Sequence, residues 1–224
     1  MALEPRTCTC FSGETHLLDG IIAALVPEEP IEMLQYATAS CRNLAMGNDG
    51  VACEYLLKKQ APLRLLRLLG PHMTFESEWH ILLALSHFTG IDGPHLSTIV
   101  DQGGGLVIVE LLKRYYDCYE LQLVGLHALY GLAAGGDEAV RTLAEAGAAQ
   151  SIVTIVGANR DKPQILASAC DVLARFARNA PLILVEQGVH VVVAQALRSR
   201  KDNYRLIAAA LSALVGIISA EGSG

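Results

Sequence analysis

Apolar residues recur along the chain in short helical stretches separated by polar turns, and the same order of stretches occurs four times. The template is a short amphipathic helix, a small junction residue and a second apolar helix, as in EYLLKKQAPLRLLRLL, STIVDQGGGLVIVELL, RTLAEAGAAQSIVTIV and ILVEQGVHVVVAQAL. The predicted junctions Ala61, Gly103, Gly147 and Gly188 are 42, 44 and 41 residues apart, and Gly20 marks an incomplete earlier copy. Small residues are expected there, because a sharp turn between helices needs a positive φ or a close backbone approach.

A longer apolar helix follows each junction after a polar turn that contains capping residues such as Thr, Asp and Asn. These third helices are predicted over residues 31–46, 75–89, 119–134, 164–178 and 204–219. The shorter first helices are predicted over 50–59, 93–102, 137–146 and 181–187. The repeating unit therefore contains three helices.

The three-helix period, the form G-x-x-x-x-[LVI]-[VL]-x-x-L after the junction and the A-L-S-x-[FIL] type of third helix resemble armadillo repeats. Their period falls in the range of about 40–47 residues that armadillo and HEAT arrays share, and the short first helices favour armadillo over the two-helix HEAT unit. The resemblance covers residues 17–220 and implies an all-α fold, a right-handed superhelical α-solenoid of about four and a half repeats. The expected copies span 17–48, 49–91, 92–136, 137–179 and 180–220, with an arm at 1–16 and a tail at 221–224.

Composition agrees with a helical fold and argues against nucleic-acid binding. Hydrophobic residues make up 52% of the chain and aromatic residues only 5%, so aliphatic side chains must form the core. The formal net charge of −6 lacks the excess of Lys and Arg that phosphate binding requires. The charge is −5 over residues 1–50, −4 over 51–150 and +3 over 151–224. This asymmetry either orients a partner or a neighbouring copy, or is unselected scatter.

Armadillo proteins hold extended peptides on a concave surface lined by the third helices, often with a Trp and an Asn one turn apart on each repeat. The equivalent Asn positions here are Asn43, His87, Gly131, Arg175 and Gly216. The equivalent Trp positions are Ala39, Leu83, His127, Asp171 and Ser212. Only Asn43 matches, so the resemblance does not imply recognition of basic peptides by a repeated amide ladder.

Other side chains at these positions suggest a partner-binding site. Trp79, Leu83 and His87 are spaced i, i+4, i+8 and so follow one side of a helix. We expect the site to comprise Asn43, Trp79, Leu83, His87, His127, Asp171 and Arg175. The alternative is that Trp79 packs between repeats and that Asp171 and Arg175 form an ordinary i, i+4 surface pair.

The last predicted helix, NYRLIAAALSALVGIISA, is apolar nearly all round, although the end of a repeat array usually carries a polar cap. Either this helix tolerates exposure or it docks against another molecule through Leu214, Ile217 and Ile218.

Chemistry of other kinds has little support in the sequence. No nucleophile, base and orienting group stand at recognisable spacing, so an enzyme is not expected. Metal binding by His87 and His127 lacks any ligand spacing, and the glycines at 103–105 lack the strand and Lys-Ser/Thr of a phosphate loop. Cys8 and Cys10 with His16 leave weak zinc binding or acylation as minor alternatives to ordinary thiols. Neither a cofactor nor a small-molecule substrate is expected.

These observations predict a non-enzymatic scaffold or adaptor whose partners are one or more proteins. The alternative is a structural subunit of a large cytoskeletal, ciliary or axonemal assembly, docked through its ends and edges. We expect a cytoplasmic location, cytoskeleton- or cilium-associated in the alternative. The first residues lack the pattern of a secretory signal, and no apolar run reaches the about 18 residues of a membrane span, so membrane association is not expected.

Overall fold

The computed structural model describes residues 15–47, 50–70, 73–199 and 203–221. In this part of the chain every regular element is a helix, which confirms the predicted all-α class. The helices are α1 (Thr15–Ala23), α2 (Ile31–Met46), α3 (Gly50–Lys58), α4 (Ala61–Leu68), α5 (Phe75–Thr89), α6 (His95–Asp101), α7 (Gly104–Arg114), α8 (Tyr119–Leu132), α9 (Asp137–Glu145), α10 (Ala148–Ala158), α11 (Pro163–Asn179), α12 (Pro181–Glu186), α13 (Val189–Ser199) and α14 (Tyr204–Glu221).

The chain divides into two compact units, residues 1–91 and 92–224. In the first unit α2 packs along α5, and α1, α3 and α4 complete the packing. The core of this unit is aliphatic, with Leu34, Leu56 and Ile81 almost completely buried. The Thr74 side chain accepts a hydrogen bond from the Ser77 N–H at 3.3 Å and so caps α5.

In the second unit α11 is the central helix, with α8 and α14 packed against it. Eleven of its 17 residues are buried, among them Phe176. The helices α6, α7, α9, α10, α12 and α13 provide the shorter elements between these long ones. Asn203 accepts a hydrogen bond from the Leu206 N–H at 3.0 Å, which fixes the start of α14.

The long helices α2, α5 and α14 begin at the predicted residues, and α11 begins one residue early, at Pro163. Helix α8 begins as predicted but ends at Leu132, after which Ala133–Gly135 form a 3-10 turn. A hydrophobic pattern predicts helix ends less well than helix centres, because the last turn is decided by local caps.

The junctions are left-handed turns, as expected, but one is displaced from its predicted residue. Gly103, Gly147 and Gly188 have φ values of 79°, 83° and 68°. In the preceding junction the left-handed residue is Gln60, with φ 58°, and Ala61 is instead the buried first residue of α4. The prediction was wrong by one position because the alignment followed residue size, whereas the turn requires a positive φ directly before the second helix.

Gly20 is not a junction, so this part of the sequence prediction is wrong. It lies inside α1, where Leu18 and Ile22 on either side of it are buried. The apolar spacing of these neighbours keeps the helix continuous through the glycine.

Free thiols are found at Cys41, Cys53, Cys118 and Cys170, and all except the partly exposed Cys118 are buried. Burial raises the pKa of both Cys41 and Cys170 to about 12. These two thiols are therefore packing groups that stay protonated at neutral pH.

Candidate functional site

In the first unit Asn43 is engaged by its neighbour Arg42. The Asn43 Oδ1 accepts hydrogen bonds from Arg42 Nε at 3.1 Å and Nη2 at 2.6 Å. Arg42 Nη1 lies 2.9 Å from Nδ1 of His80 on α5, so the guanidinium also links α2 to α5. The one side chain that matches the armadillo Asn position thus has its oxygen occupied within the chain.

The three residues predicted to follow one side of α5 differ in exposure. Trp79 and Leu83 are half-buried, whereas His87 is exposed. His87 lines a shallow groove together with Cys53 and Ser86. Partial burial lowers the pKa of His87, so the imidazole is neutral at pH 7.

In the second unit, one polar contact joins α11 to α8 and another joins α11 to α14. The Arg175 guanidinium lies 3.9 Å from the centroid of the Tyr130 ring on α8. Arg205 Nη2 on α14 lies 3.2 Å from Asp171 Oδ2. The alternative interpretation, in which Asp171 and Arg175 form an i, i+4 surface pair, is therefore wrong, because Asp171 pairs with Arg205. Because α8 and α14 both pack on α11, Asp171 and Arg175 find partners on two different neighbouring helices.

His127 on α8 belongs to the same set of residues. Burial and then the positive charge of Arg205 lower the pKa of His127, while Asp171 opposes this effect. His127, Tyr130, Asp171, Arg175 and Arg205 form what we call the α8–α11–α14 cluster. Three of them were predicted from the repeat alignment; Tyr130 and Arg205 were not. Tyr130 directly precedes the predicted position Gly131, so an adjacent aromatic residue was the available signal.

The cluster offers an aromatic face, an imidazole, two guanidinium groups and one carboxylate. Among the described residues, Asp171 is the only carboxylate that pairs with an arginine of the cluster. Its partner is Arg205. Arg175 keeps N–H donors for a further acceptor while its planar face is placed on Tyr130. Such an arrangement suits non-covalent recognition of a carboxylate.

The three predicted end-docking residues occupy different environments. Ile217 is 2% exposed and belongs to the core, so its prediction as a docking residue is wrong. Leu214 is half-buried and Ile218 is exposed. The exposed apolar side of α14 instead continues through Leu211 and Val215. A helix that is apolar all round gives no sequence signal for which side faces the core.

The remaining expectations concern metal ions, the cysteines near the start of the sequence and the membrane. The ranges that the structure describes contain no group of three His, Cys, Asp or Glu residues that could hold a metal ion. Cys8 and Cys10, the candidates for zinc binding or acylation, lie outside the described residues. No described helix is both long enough and apolar enough to cross a bilayer.

Solved structures show the same fold. An engineered protein aligns with a TM-score of 0.81 and 23% identity over 97% of this chain and 85% of its own. A designed armadillo repeat protein in complex with the peptide (KR)4 aligns with a TM-score of 0.79 and 20% identity, covering 96% of this chain and 87% of that chain. Computationally designed armadillo repeat proteins for modular peptide recognition give a TM-score of 0.78 and 22% identity, with coverages of 91% and 83%.

Sequence comparison points to the same repeat. No curated protein gives a significant match. The family model described as "LRRK2 ARM repeat" matches residues 81–221, which is more than half of the chain and includes helices α6 to α14. Together with the three-helix unit and the structural matches, this shows that the chain belongs to the LRRK2 ARM repeat family.

Proposed function

We propose that this protein is a non-enzymatic scaffold that binds a segment of a partner protein along α8, α11 and α14, with Arg175 receiving a carboxylate of that segment. The observation that carries the proposal is the placement of Arg175 on the Tyr130 ring, 3.9 Å from its centroid, while Asp171 is occupied by Arg205. The armadillo fold supports it, because this fold typically mediates binding of proteins or peptides.

Charge favours an acidic segment. The cluster contains two arginines and one aspartate, so with neutral His127 it carries a net charge of +1. Residues 151–224 as a whole carry +3. The designed armadillo repeat protein in complex with (KR)4 holds a basic peptide. The absence of a repeated Asn ladder in this chain argues against that mode of recognition here. A segment containing Asp or Glu complements the cluster instead.

The stacking on Tyr130 favours tight recognition. An arginine whose plane is already held by an aromatic ring loses less side-chain entropy when it forms hydrogen bonds to a carboxylate. A carboxylate that pairs with one guanidinium can accept two parallel N–H hydrogen bonds from it. This geometry also fixes the orientation of the carboxylate. Arg175 is thus expected to be the strongest single contact.

Fluorescence anisotropy with labelled peptides tests this proposal. We expect an acidic peptide of alternating Glu and Ala to bind, and (KR)4 to bind at least tenfold more weakly. Arg175→Gln should weaken the acidic peptide about 10- to 100-fold, the loss expected for a hydrogen bond to a charged group. Arg141→Gln is the matched control, because Arg141 is an exposed arginine on α9, paired with Glu138 at 3.2 Å. Equal losses in the two variants, or a preference for (KR)4, would contradict the proposal.

The second candidate is a structural subunit of a large assembly, which in the sequence-based alternative is cytoskeletal, ciliary or axonemal. The exposed apolar side of α14 favours docking through an end of the chain.

Crosslinking mass spectrometry on protein from its native cells distinguishes the scaffold from the structural subunit. Crosslinks from Lys162, beside Tyr119 on α8, to one stoichiometric protein support the scaffold, since the Lys162 Nζ lies 5.5 Å from that ring. Crosslinks spread over Lys58, Lys113 and Lys201 to many cytoskeletal proteins support the structural subunit. A cytoplasmic location is part of both proposals.

A further inference from the structure

Helix α14 exposes a continuous apolar stripe. Leu211, Val215 and Ile218 are 50%, 62% and 63% exposed. Their spacing of i, i+4, i+7 places them on one side of the helix. A contiguous exposed stripe of large aliphatic residues is a typical mark of an interaction surface.

The equivalent residues of the preceding long helix, α11, show what this stripe corresponds to in the repeat. The equivalent positions on α11, 41 residues earlier, are Cys170, Ala174 and Ala177, and all three are buried. Helix α14 itself approaches that side of α11, because a Cβ added to Gly216 would lie 2.7 Å from the Ala177 Cβ. The stripe on α14 therefore occupies the side that, on α11, is covered by the next long helix of the array.

Helix α2 exposes apolar residues on the side that corresponds to the buried side of α14. Met33 and Tyr36 are 48% and 68% exposed. Their equivalents on α14, 173 residues later, are Leu206 and Ala209, which are both buried within the second unit. Helix α2 thus presents the side that α14 uses for packing inside its own unit.

The sequence segments that contain these two surfaces carry opposite net charge. Glu28, Glu29 and Glu32 lie at the start of α2 or just before it, and residues 1–50 carry −5 in total. Arg198 lies in the last turn of α13, a helix that packs on α14, and residues 151–224 carry +3. Opposite net charge on two associating segments speeds their encounter and disfavours pairing of two like segments.

From these observations we infer that two copies of this chain associate head to tail, with the Met33–Tyr36 side of α2 in one copy packed on the Leu211–Val215–Ile218 stripe of the other. The contact is heterologous, so it joins two different surfaces and leaves one of each free on the resulting dimer. This inference does not depend on the proposed carboxylate binding by Arg175.

Complementation between blocked variants tests the inference by sedimentation velocity. Wild-type protein should show a mass that rises with concentration. A head variant, Met33→Glu with Tyr36→Glu, and a tail variant, Val215→Glu with Ile218→Glu, should each be monomeric. Mixed in equal amounts, they should form a 1:1 dimer, because each supplies the surface that the other lacks. All four residues are exposed, so helicity by circular dichroism should not change.

The matched control is Val51→Glu, which introduces the same charge at an apolar residue that is 64% exposed on α3. It should associate as the wild type does. A wild-type protein that stays monomeric at all concentrations overturns the inference. So does a head variant that dimerises alone and gains nothing from the tail variant, since that result means pairing of α14 with α14. If the tail variant loses helicity, Ile218→Ser, a smaller change at the same stripe, takes its place.

Discussion

Arg175 of α11 stacks on the ring of Tyr130 in α8, with its guanidinium carbon 3.9 Å from the ring centroid. The pair joins adjacent long helices of the second unit without using an opposite charge. A guanidinium on an aromatic face contributes about 0.5–1 kcal/mol at a partly exposed site.

A double-mutant cycle should recover that energy. Tyr130→Leu should lower the free energy of unfolding, Tyr130→Phe should leave it nearly unchanged, and Tyr130→Leu with Arg175→Gln should show a coupling of about 0.5–1 kcal/mol. Urea unfolding followed by circular dichroism measures each corner of the cycle. Strictly additive effects of the two substitutions would show that the stacking carries no energy.

The left-handed Gln60 predicts a stabilising substitution. A residue with a Cβ costs about 1–2 kcal/mol in this conformation, and glycine avoids that cost while losing about 0.5–1 kcal/mol of backbone entropy. Gln60→Gly should therefore raise the free energy of unfolding by about 0.5–1 kcal/mol. The reciprocal control is Gly147→Ala, where an added Cβ meets nothing within 4 Å, so the loss should be conformational alone. Destabilisation by Gln60→Gly would mean that contacts of the Gln60 side chain outweigh the strain.

The close approach of α14 to α11 predicts a loss of stability on adding one methyl group. At Gly216 the new Cβ would lie 2.7 Å from the Ala177 Cβ and 3.4 Å from the Ala177 carbonyl carbon, and a backbone atom cannot rotate away. Gly216→Ala should cost about 1–3 kcal/mol in thermal or urea unfolding.

Gly20→Ala is the control for that substitution. Gly20 also lies inside a helix, but an added Cβ there meets nothing within 4 Å. This change should stabilise the protein by about 0.5–1 kcal/mol through helix propensity. A similar gain at Gly216 would contradict the close packing of α14 on α11.

Three histidines with lowered pKa values, of which His80 is the most buried, predict a loss of stability on mild acidification. Burial lowers the pKa of His80, His87 and His127, with Arg42 adding to the effect at His80 and Arg205 at His127. The unfolded chain, with histidine pKa values near about 6.5, takes up protons first as the pH falls. The contribution of the neutral histidines to the free energy of unfolding is complete above these unfolded-state pKa values. It should be lost as the pH falls from about 7 to 5.

His80→Gln should flatten that dependence, because glutamine can still accept a hydrogen bond from Arg42 but does not titrate. His80 is the best choice, as its side chain is only 12% exposed and its Nδ1 lies 2.9 Å from Arg42 Nη1. Urea midpoints measured from pH 8 to 5 provide the comparison. Glu76 lies 3.8 Å from His80 and opposes the shift, so an unchanged slope in the variant would show that this carboxylate cancels the burial.

The sequence was sufficient to predict the helices but not the pairing of their side chains. Helical periodicity and the recurrence of junction glycines are local signals, and they placed α2, α5 and α14 at their first residues. The partner of Asp171 is Arg205, which lies 34 residues away, and no spacing rule within one helix indicates it. Gln60 was missed because a left-handed residue with a side chain leaves no compositional mark.

Burial around α14 was also beyond prediction from one sequence. Ile217 and Ile218 are adjacent and equally apolar, yet one is in the core and the other is exposed. Which of the two faces inward depends on the rotation of α14 about its axis, and that rotation is fixed by Gly216 against Ala177.

The ion pair between Asp171 and Arg205 makes the charge of the α8–α11–α14 cluster depend on whether α14 stays folded. Helices of a repeat array can open locally, because each repeat contacts only its neighbours. When α14 detaches, Arg205 leaves with it, and the Asp171 carboxylate stands unneutralised beside Arg175. The cluster then loses its net positive charge, so partial denaturation that opens α14 should erase the proposed selectivity for acidic segments.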